Sequence, residues 1–463
     1  MMPPKFGTSG LRGLVTELTP DCVAKYVTAF ISACPIGSGI YVGHDLRESS
    51  PDIAKSVATA ARDAGADVTM CGAVPTPALA LASQRQRAAA IMVTGSHIPA
   101  DRNGLKFYTP SGEITKAHEK RILASLGGSG PVGIGRTVRN TSVNDEYCAR
   151  YTVAYADALS GMRIGLYGHS AVGRAMLGEL LEALGADVVM LGWSDQFVPL
   201  DTEAIPDETR VQLRAWAQSF GVDAIVSTDG DGDRPMLTDG NGNIVPGDIL
   251  GQITAQVLEA ENVVTPVSSN TSVGLLQCFD SVVRSKIGSP FVIAAMKEMS
   301  GKTVGYEANG GFRALGPNGV LPPLMTRDAV LPVVTVLAAS REHGVAELVA
   351  AQPTRFTAAN RLQNVPTERG QALVQRLTDD DKARAEFLQH LDAAEAESDL
   401  TDGLRMTLTD GRIIHLRPSG NAPELRLYVD AQSIQDAQTT LFAGISLIST
   451  QLDRLSAPRL TFD

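Results

Sequence analysis

Two stretches of this chain, 120 residues apart, follow the same local plan. In the first, Ile40-Tyr41-Val42 ends in Gly43-His44-Asp45, and an Ala-rich stretch runs from Pro51 to Ala64. Gly65-Ala66-Asp67-Val68-Thr69-Met70 then turns into a second apolar run. In the second, Arg163 to Tyr167 ends in Gly168-His169-Ser170, and a helical stretch covers Arg174 to Leu184. Gly185-Ala186-Asp187-Val188-Val189-Met190 repeats the turn and the run. Short apolar runs alternating with helix-period stretches predict strands joined through helices, hence largely parallel sheets. A single tetrapeptide match can be chance. The matching strand, Gly-His and helix ahead of it argue for two α/β domains of similar build, stacked in sequence.

A third unit of this class is expected to follow. It has a helical segment (Gly251 to Glu259), strand-like Val263-Val264 and Pro266-Val267, and strand-like Thr303-Val304-Gly305. Periodicity fades from Pro353 to Pro366, which suggests a boundary. Beyond it the pattern changes. One charged helix is expected from Glu368 to Glu397. Leu404 to Leu408 alternates with period two, Asp410-Gly411 is a hairpin signal, and Ile413 to Leu416 and Leu425 to Val429 supply further strands. A helix from Ile434 to Thr450 completes a small α+β domain. The expected division is 1–150, 151–250, 251–366 and 367–463, in keeping with 463 residues at about 100–200 per domain.

Composition narrows the function. Forty basic against 51 acidic residues leave a net charge of −11, which opposes binding to nucleic acid or an anionic membrane. The best apolar run, Ala329 to Ala339, is broken by Pro332 and falls short of the roughly 18 residues a membrane helix needs. Met1 to Gly7 offers no apolar core for a signal peptide. Cys22, Cys34, Cys71, Cys148 and Cys278 are odd in number and lack C-x-x-C spacing, so reduced thiols in a cytoplasm are expected.

Four loops carry residues suited to chemistry. Phe6-Gly7-Thr8-Ser9-Gly10-Leu11-Arg12-Gly13 sets Thr8, Ser9 and the Arg12 guanidinium among three glycines, a composition suited to phosphate or to a plain turn. Ala88 to Val93 reads as a buried strand that delivers Ser96 at its C-terminal end, where open α/β sheets bind ligands. His97 is adjacent, and Lys106 follows an Asn103-Gly104 turn expected to fold it back. Ser96 suits a nucleophile or phosphoryl carrier, or else a helix N-cap.

The third loop is Asp229-Gly230-Asp231-Gly232-Asp233-Arg234, after apolar Ala224-Ile225-Val226. Carboxylates at i, i+2 and i+4 share one side of an extended chain, and the intervening glycines also permit a tight wrap. Three such anions repel unless a cation neutralises them, and hard oxygen ligands point to Mg²⁺ or Ca²⁺ rather than to an acidic surface turn. An EF-hand is excluded: Arg234 stands where its glycine belongs and Gly240 where its bidentate glutamate belongs. The fourth loop, Arg417-Pro418-Ser419-Gly420-Asn421-Ala422-Pro423-Glu424-Leu425-Arg426, is rich in donors and has the composition of a phosphate cradle. A fifth segment, Gly305 to Phe312, places Glu307 and Asn309 two residues apart, a pair able to bind sugar hydroxyls. Two nucleotide-site patterns fail. Gly128 to Gly133 follows no strand and opens no helix, and Gly301-Lys302-Thr303 has Met296 where a P-loop needs its first glycine.

These motifs, in this order along the whole chain, resemble the α-D-phosphohexomutases, the phosphomannomutase and phosphoglucomutase family. The resemblance implies three related α/β domains and a smaller α+β C-terminal domain around a central cleft. It makes Ser96 the carrier of an exchangeable phosphoryl group, with Asp229, Asp231, Asp233 and that phosphate as Mg²⁺ ligands. Arg12, Lys106 and Arg234 match the cations around the reacting phosphate. Glu307 and Asn309 match the sugar-reading loop. Arg417, Ser419, Gly420 and Asn421 match the loop that binds the substrate's other phosphate, and Lys286 and Arg426 are further substrate-binding candidates. The chain departs from the family pattern in three places. Ser-His-Asn-Pro reads Ser96-His97-Ile98-Pro99. Gly-Glu-x-Ser-Gly-His has Asn309 for the serine and Gly311 for the histidine. A third-domain histidine aligns near Ser289. Proton transfer is then left to His97 or Lys106.

The implied reaction moves a phosphoryl group between O1 and O6 of a hexose phosphate through a hexose 1,6-bisphosphate. Mannose phosphate is expected as substrate, ahead of glucose phosphate or both, with glucosamine phosphates further off. Three Asp and a phosphoserine against Mg²⁺ leave about −3, which Arg12, Lys106 and Arg234 balance. A Mg²⁺-dependent sugar phosphatase and a non-catalytic sugar-phosphate sensor are the competing classes. A monomer or homodimer is expected.

Overall fold

The computed structural model describes residues 4–7, 10–128, 130–315, 321–419 and 423–456. They fall into two compact units, one over Met1–Val264, Cys278–Ser281 and Gly288–Ala351, the other over Thr265–Gln277, Val282–Ile287 and Gln352–Asp463.

The larger unit is built on α/β sheets. In the first, strands Thr137–Arg139, Val68–Ala73, Ile40–His44 and Ala89–Val93 lie parallel, side by side. Arg102–Thr109, Leu11–Leu14 and Lys5–Phe6 extend the sheet antiparallel. Every residue of Ala89–Val93 is buried, as befits a strand covered on both faces. Its core joins Val27 and Phe30 of helix Pro20–Ala33 and Ile53 and Val57 of helix Ser50–Asp63 to Ile91 and Phe107 of the sheet. The second sheet sets Asp187–Trp193, Arg163–His169 and Ala224–Thr228 parallel, with Pro235–Leu237 antiparallel at its edge. In the third, Asn262–Pro266 runs parallel to Thr303–Tyr306, which pairs antiparallel with Phe312–Leu315.

The repeat seen in the sequence has a common backbone cause. Gly65 and Gly185 each follow a helix with φ of 83° and 96°. The next residue's N–H then donates five residues back, Ala66 to Ala61 and Ala186 to Leu181. That left-handed closure favours glycine, because a Cβ would crowd the backbone there.

In the smaller unit, Phe356–Gln363, Glu424–Ala431, Ile413–Pro418, Leu404–Leu408 and Glu395–Asp399 form one antiparallel sheet in that order. Leu404, Met406, Ile414, Leu416, Leu425, Leu427 and Val429 line its core with Leu373 and Leu377 of helix Thr367–Asp379 and Ile448 of helix Ile434–Ser456.

Two expectations are corrected here. The stretch where periodicity fades contains a strand, Phe356–Gln363, paired along its length with Glu424–Ala431. It is an edge strand with mostly exposed residues, so it carries no apolar alternation. The single charged helix is in fact two helices and a strand. Asp380 leaves helical geometry and its carboxylate accepts from the N–H groups of Lys382 and Ala383, capping a new helix, Asp381–Gln389. Glu395–Asp399 is then an edge strand whose charges guard an open edge. The apolar run ending at Ala339 is a buried helix, Val330–Ala339, with Pro332 in its first turn, where no N–H is needed. Among the described residues no helix is long and apolar enough to cross a membrane.

Candidate active site

Strand Ala89–Val93 ends at the Thr94-Gly95-Ser96 corner. Ser96 is 1% exposed and holds φ at 54°, a conformation a side-chain-bearing residue rarely takes. No helix starts here, so the N-cap alternative falls. The Ser96 N–H donates to Thr94 Oγ1 at 2.7 Å. Its hydroxyl donates to Asp229 Oδ2 at 2.5 Å and lies 3.3 Å from His97 Nδ1. Buried Arg47, which the sequence reading did not single out, holds this corner. Its guanidinium donates to the carbonyls of Ser96 (3.0 Å), Ile98 (2.5 Å), Pro99 (2.7 Å) and Arg102 (3.0 Å). Asp45 pairs with Arg47 at 3.2 Å and accepts from Thr94 Oγ1 at 2.7 Å. The signal available in the sequence was the strand end Gly43-His44-Asp45, whose twin precedes Ser170.

Lys106 reaches the site by a different route from the one expected. Asn103 and Gly104 do not turn; they lie inside strand Arg102–Thr109, and Lys106 faces Met92 in register. Glycine is needed at 104 for close approach: a Cβ there would stand 2.1 Å from the Leu11 carbonyl and 2.8 Å from Arg12 Nη1. Arg12 donates to the Thr94 carbonyl. Burial, against the pull of Asp231, lowers its guanidinium to about 10, which leaves it charged at neutral pH.

The three aspartates are not on an extended strand. The chain wraps, with Gly232 N–H on the Asp229 carbonyl and Asp229 N–H on the Arg234 carbonyl. One carboxylate oxygen from each residue lies within 4.8 Å of the others, and all three side chains are fully buried. At an effective dielectric of about 20, each such pair repels by about 3 kcal/mol. Lys106 Nζ answers Asp231 at 2.5 Å and Asp233 at 2.6 Å. Arg327 Nη2 meets Asp233 at 2.6 Å. Asp231 also sits at the start of helix Thr76–Arg85, accepting from Thr76 N–H at its carbonyl (2.9 Å) and from Thr76 Oγ1 at its carboxylate (2.5 Å). Burial raises all three carboxyls. Lys106 and Thr76 overcome this at Asp231, and Arg327 and Lys106 at Asp233, so both lie below the usual range. Asp229, facing the other two anions, is pushed up to about 8.

The donor set fits a hard divalent cation. Asp231 Oδ1 and Asp233 Oδ1 are buried without a hydrogen-bond partner, beside a third carboxylate and a serine hydroxyl.

Arg234 Nη1 donates to His97 Nδ1 at 3.1 Å and stands 3.8 Å from Asp201. Burial first, then Arg234, lowers His97 to about 4, so its ring is neutral at physiological pH. Glu307 is 5% exposed and pairs with Arg313 Nη2 at 3.1 Å and Arg327 Nη1 at 4.0 Å. Asn309 Oδ1 accepts from Gly311 N–H at 2.9 Å, and the Asn309 carbonyl accepts from Thr202 Oγ1 at 2.8 Å. Ser289 donates to Glu113 at 2.6 Å and accepts from Arg313 at 2.5 Å. Arg327 follows no recognisable motif, and nothing in the sequence marked it.

In the smaller unit, Arg417 and Glu424 prove to be strand residues rather than loop residues. Arg417 and Arg426 are direct cross-strand partners, and Arg361 is the partner of Arg426 on its other side. Arg417 Nε donates to Asp402 at 2.8 Å, and Arg426 pairs with Glu424 at 3.3 Å. Asp402 also accepts from the N–H of Ile287, next to exposed Lys286. Ser419 is buried, and its N–H donates to the Glu424 carbonyl at 2.9 Å. Thr8, Ser9, Gly420 and Asn421 lie outside the described residues.

Fold and site together define an α/β enzyme of phosphoryl transfer: a strained serine at a strand end, a carboxylate cluster suited to a divalent cation, and cations around both. Four family descriptions match in order. These are "Phosphoglucomutase/phosphomannomutase, alpha/beta/alpha" domain I over residues 3–129, domain II over 145–242 and domain III over 246–356, and the C-terminal domain over 363–443. The chain is 44% identical to a phosphomannomutase of Sinorhizobium fredii, across 97% of this chain and 100% of that one. It is 42% identical to a phosphomannomutase of Salmonella muenchen, across 97% and 96%. A Burkholderia thailandensis phosphoglucomutase/phosphomannomutase family structure shares the fold with a TM-score of 0.78 at 21% identity, over 96% of this chain and 97% of the other. The chain belongs to the phosphoglucomutase/phosphomannomutase family and is a phosphohexomutase, an isomerase that works by phosphoryl transfer.

Proposed function

We propose that this phosphohexomutase interconverts mannose 6-phosphate and mannose 1-phosphate in the cytoplasm. The observation that carries the reaction is the Ser96 hydroxyl seated on Asp229 at 2.5 Å. The sugar assignment rests on relatives named phosphomannomutase at 44% and 42% identity, against 28% for a phosphoglucosamine mutase of Thermobifida fusca. All five cysteines are free, in keeping with a reducing compartment.

In this reading, phosphorylated Ser96 donates to the free hydroxyl of the bound hexose phosphate. The hydroxyl oxygen bonds to phosphorus as the bond to Ser96 Oγ breaks, giving a hexose 1,6-bisphosphate. The sugar reorients, and Ser96 Oγ takes the other phosphoryl group. Asp229, Asp231 and Asp233 would hold Mg²⁺, which supplies charge neutralisation at the transferring oxygens. Arg12 and Arg234 add positive charge around the same oxygens. Lys106 donates to both Asp231 and Asp233, so its part is to keep the cluster together. That leaves proton transfer to His97, whose neutral ring has Nδ1 3.3 Å from Ser96 Oγ and becomes free to take a proton there once Arg234 Nη1, which now donates to it, turns to the phosphate. Glu307 and Asn309 read the sugar. Arg417, Ser419, Gly420, Asn421, Arg426 and Lys286 bind the phosphate that does not react, which lets remote binding energy serve the transfer.

A coupled assay primed with the matching 1,6-bisphosphate tests the assignment. Mannose 1-phosphate should turn over with higher kcat/KM than glucose 1-phosphate. Equal values would establish dual specificity, and preference for glucose would replace the mannose reading.

A further inference from the structure

Gly311 stands where the family resemblance expects a histidine. A Cβ built there would lie 2.5 Å from Arg327 Cδ and 3.1 Å from Arg327 Cγ. The space a side chain at 311 would need is filled by the methylenes of Arg327, which arrives from the segment ahead of helix Val330–Ala339. Arg327 is 2% exposed, and its guanidinium spans two loops. Nε and Nη2 donate to Asp233 Oδ2 at 3.1 and 2.6 Å, while Nη1 lies 4.0 Å from Glu307. Asp328, next in sequence, fixes the approach. Its carboxylate accepts from the hydroxyls of Tyr147 and Tyr151 and from the N–H groups of Val330 and Leu331, capping the helix.

We propose that Arg327 is a positioning residue that ties the sugar-reading Glu307 to Asp233 through the space left by Gly311, strengthening hexose-phosphate binding and weakening divalent-cation binding at the same time. The inference rests on the metal and sugar roles proposed above. Its physical content is a conflict of charges. A buried guanidinium on Asp233 competes with a divalent cation for the same carboxylate, and like charges this close repel strongly. Glu307 Oε2 accepts from Arg313 Nη2 at 3.1 Å, and the Arg327 guanidinium, 4.0 Å from the same oxygen, adds a second positive charge that links this carboxylate to Asp233. The cation affinity given up is exchanged for a fixed relation between the two loops.

The test compares wild type with Arg327→Met, Arg327→Lys and Gly311→Ala. Full-length, metal-stripped protein is titrated with Mn²⁺, and separately with mannose 6-phosphate in the presence of Mg²⁺. Arg327→Met should bind Mn²⁺ roughly tenfold more tightly, as expected when a like charge leaves a buried site, and mannose 6-phosphate roughly tenfold more weakly. Arg327→Lys should recover part of both effects. Gly311→Ala keeps the arginine but displaces its stem and also crowds Asn309 Oδ1, 2.9 Å from the added Cβ, so its readout is the metal alone: it should tighten Mn²⁺ binding as Arg327→Met does. A purely structural residue would lose both affinities together, so parallel weakening in Arg327→Met overturns the proposal, as do unchanged affinities in that variant or weaker Mn²⁺ binding in Gly311→Ala. Mn²⁺ binding that is indifferent to Asp231→Asn would show that the metal reading itself has failed, and the inference falls with it. An intact response to Asp231→Asn with no opposed shift at Arg327 defeats the inference alone.

Discussion

Ser96 and Asp229 are 133 residues apart in sequence, yet the serine hydroxyl donates to the aspartate at 2.5 Å. The contact joins a strand end of the first sheet to a strand end of the second. Both strands are buried throughout, so the two loops are anchored on rigid supports rather than on each other. Replacing Ser96 by Ala should lower mutase turnover by about a thousandfold or more and abolish the phosphorylated form in intact-mass measurements. Wild-type turnover in that variant would remove Ser96 from the reaction.

The carboxylate cluster makes the enzyme's demand for a divalent cation testable. Prolonged EDTA treatment should abolish activity, and Mg²⁺ should restore it. Asp231→Asn should raise the Mg²⁺ concentration needed for half-activity by about an order of magnitude. Full activity in rigorously stripped protein would contradict the cluster's role.

Arg47 touches no candidate substrate group but carries the Ser96 corner on four carbonyls. Arg47→Met leaves Asp45 buried without its cation, a change that typically costs about 3–5 kcal/mol. Thermal unfolding should reveal that loss. In the folded fraction kcat should fall more than KM rises, since the serine is displaced while phosphate binding elsewhere is untouched. Unaltered stability would show that the corner does not depend on this pair.

Arg417→Ala should raise KM for the hexose phosphate by about tenfold with a smaller change in kcat. Glycerol phosphate or inorganic phosphate, as competing anions, should lose inhibitory power in parallel. An unchanged KM would take Arg417 out of phosphate binding.

His415 gives the smaller unit a defined acid response. Its Nε2–H donates to the Asp402 carbonyl at 2.6 Å, its ring stacks on Tyr428 with centroids 5.3 Å apart, and its Nδ1 is buried without a partner. Burial first, then Arg405 and Arg417, lower the imidazole from 6.5 to about 4. Between these values the unfolded chain binds a proton that the folded one refuses. Stability is therefore whole above about pH 6.5 and lost as pH falls toward 4. Melting temperature should decline across that window, and the decline should be shallower in His415→Gln. An identical slope in that variant would assign the acid response to other groups.

Chain-local features were legible in advance. The paired strand–helix–glycine units follow from backbone rules that act within a few residues, as the matching left-handed closures at Gly65 and Gly185 show. The acidic cluster was legible because three carboxylates between glycines have few uses without a cation. The Asp380 break was hidden because polar residues suit a helix, a cap or an edge strand equally. Asn103-Gly104 departs from its expected turn for a related reason: that pair signals a turn when isolated, but here glycine answers to Leu11 and Arg12 across the sheet.

By itself, then, the order of residues determined most of the local elements, the residues of the four chemical motifs and the family to which they belong, because each depends chiefly on neighbours in the chain. Tertiary structure alone decided that Ser96 rests on Asp229, that Arg47 braces the serine corner, and that Arg327 passes through the space at Gly311. Those relations are set by close packing and by the need of every buried charge for a partner, and such partners come from distant parts of the sequence.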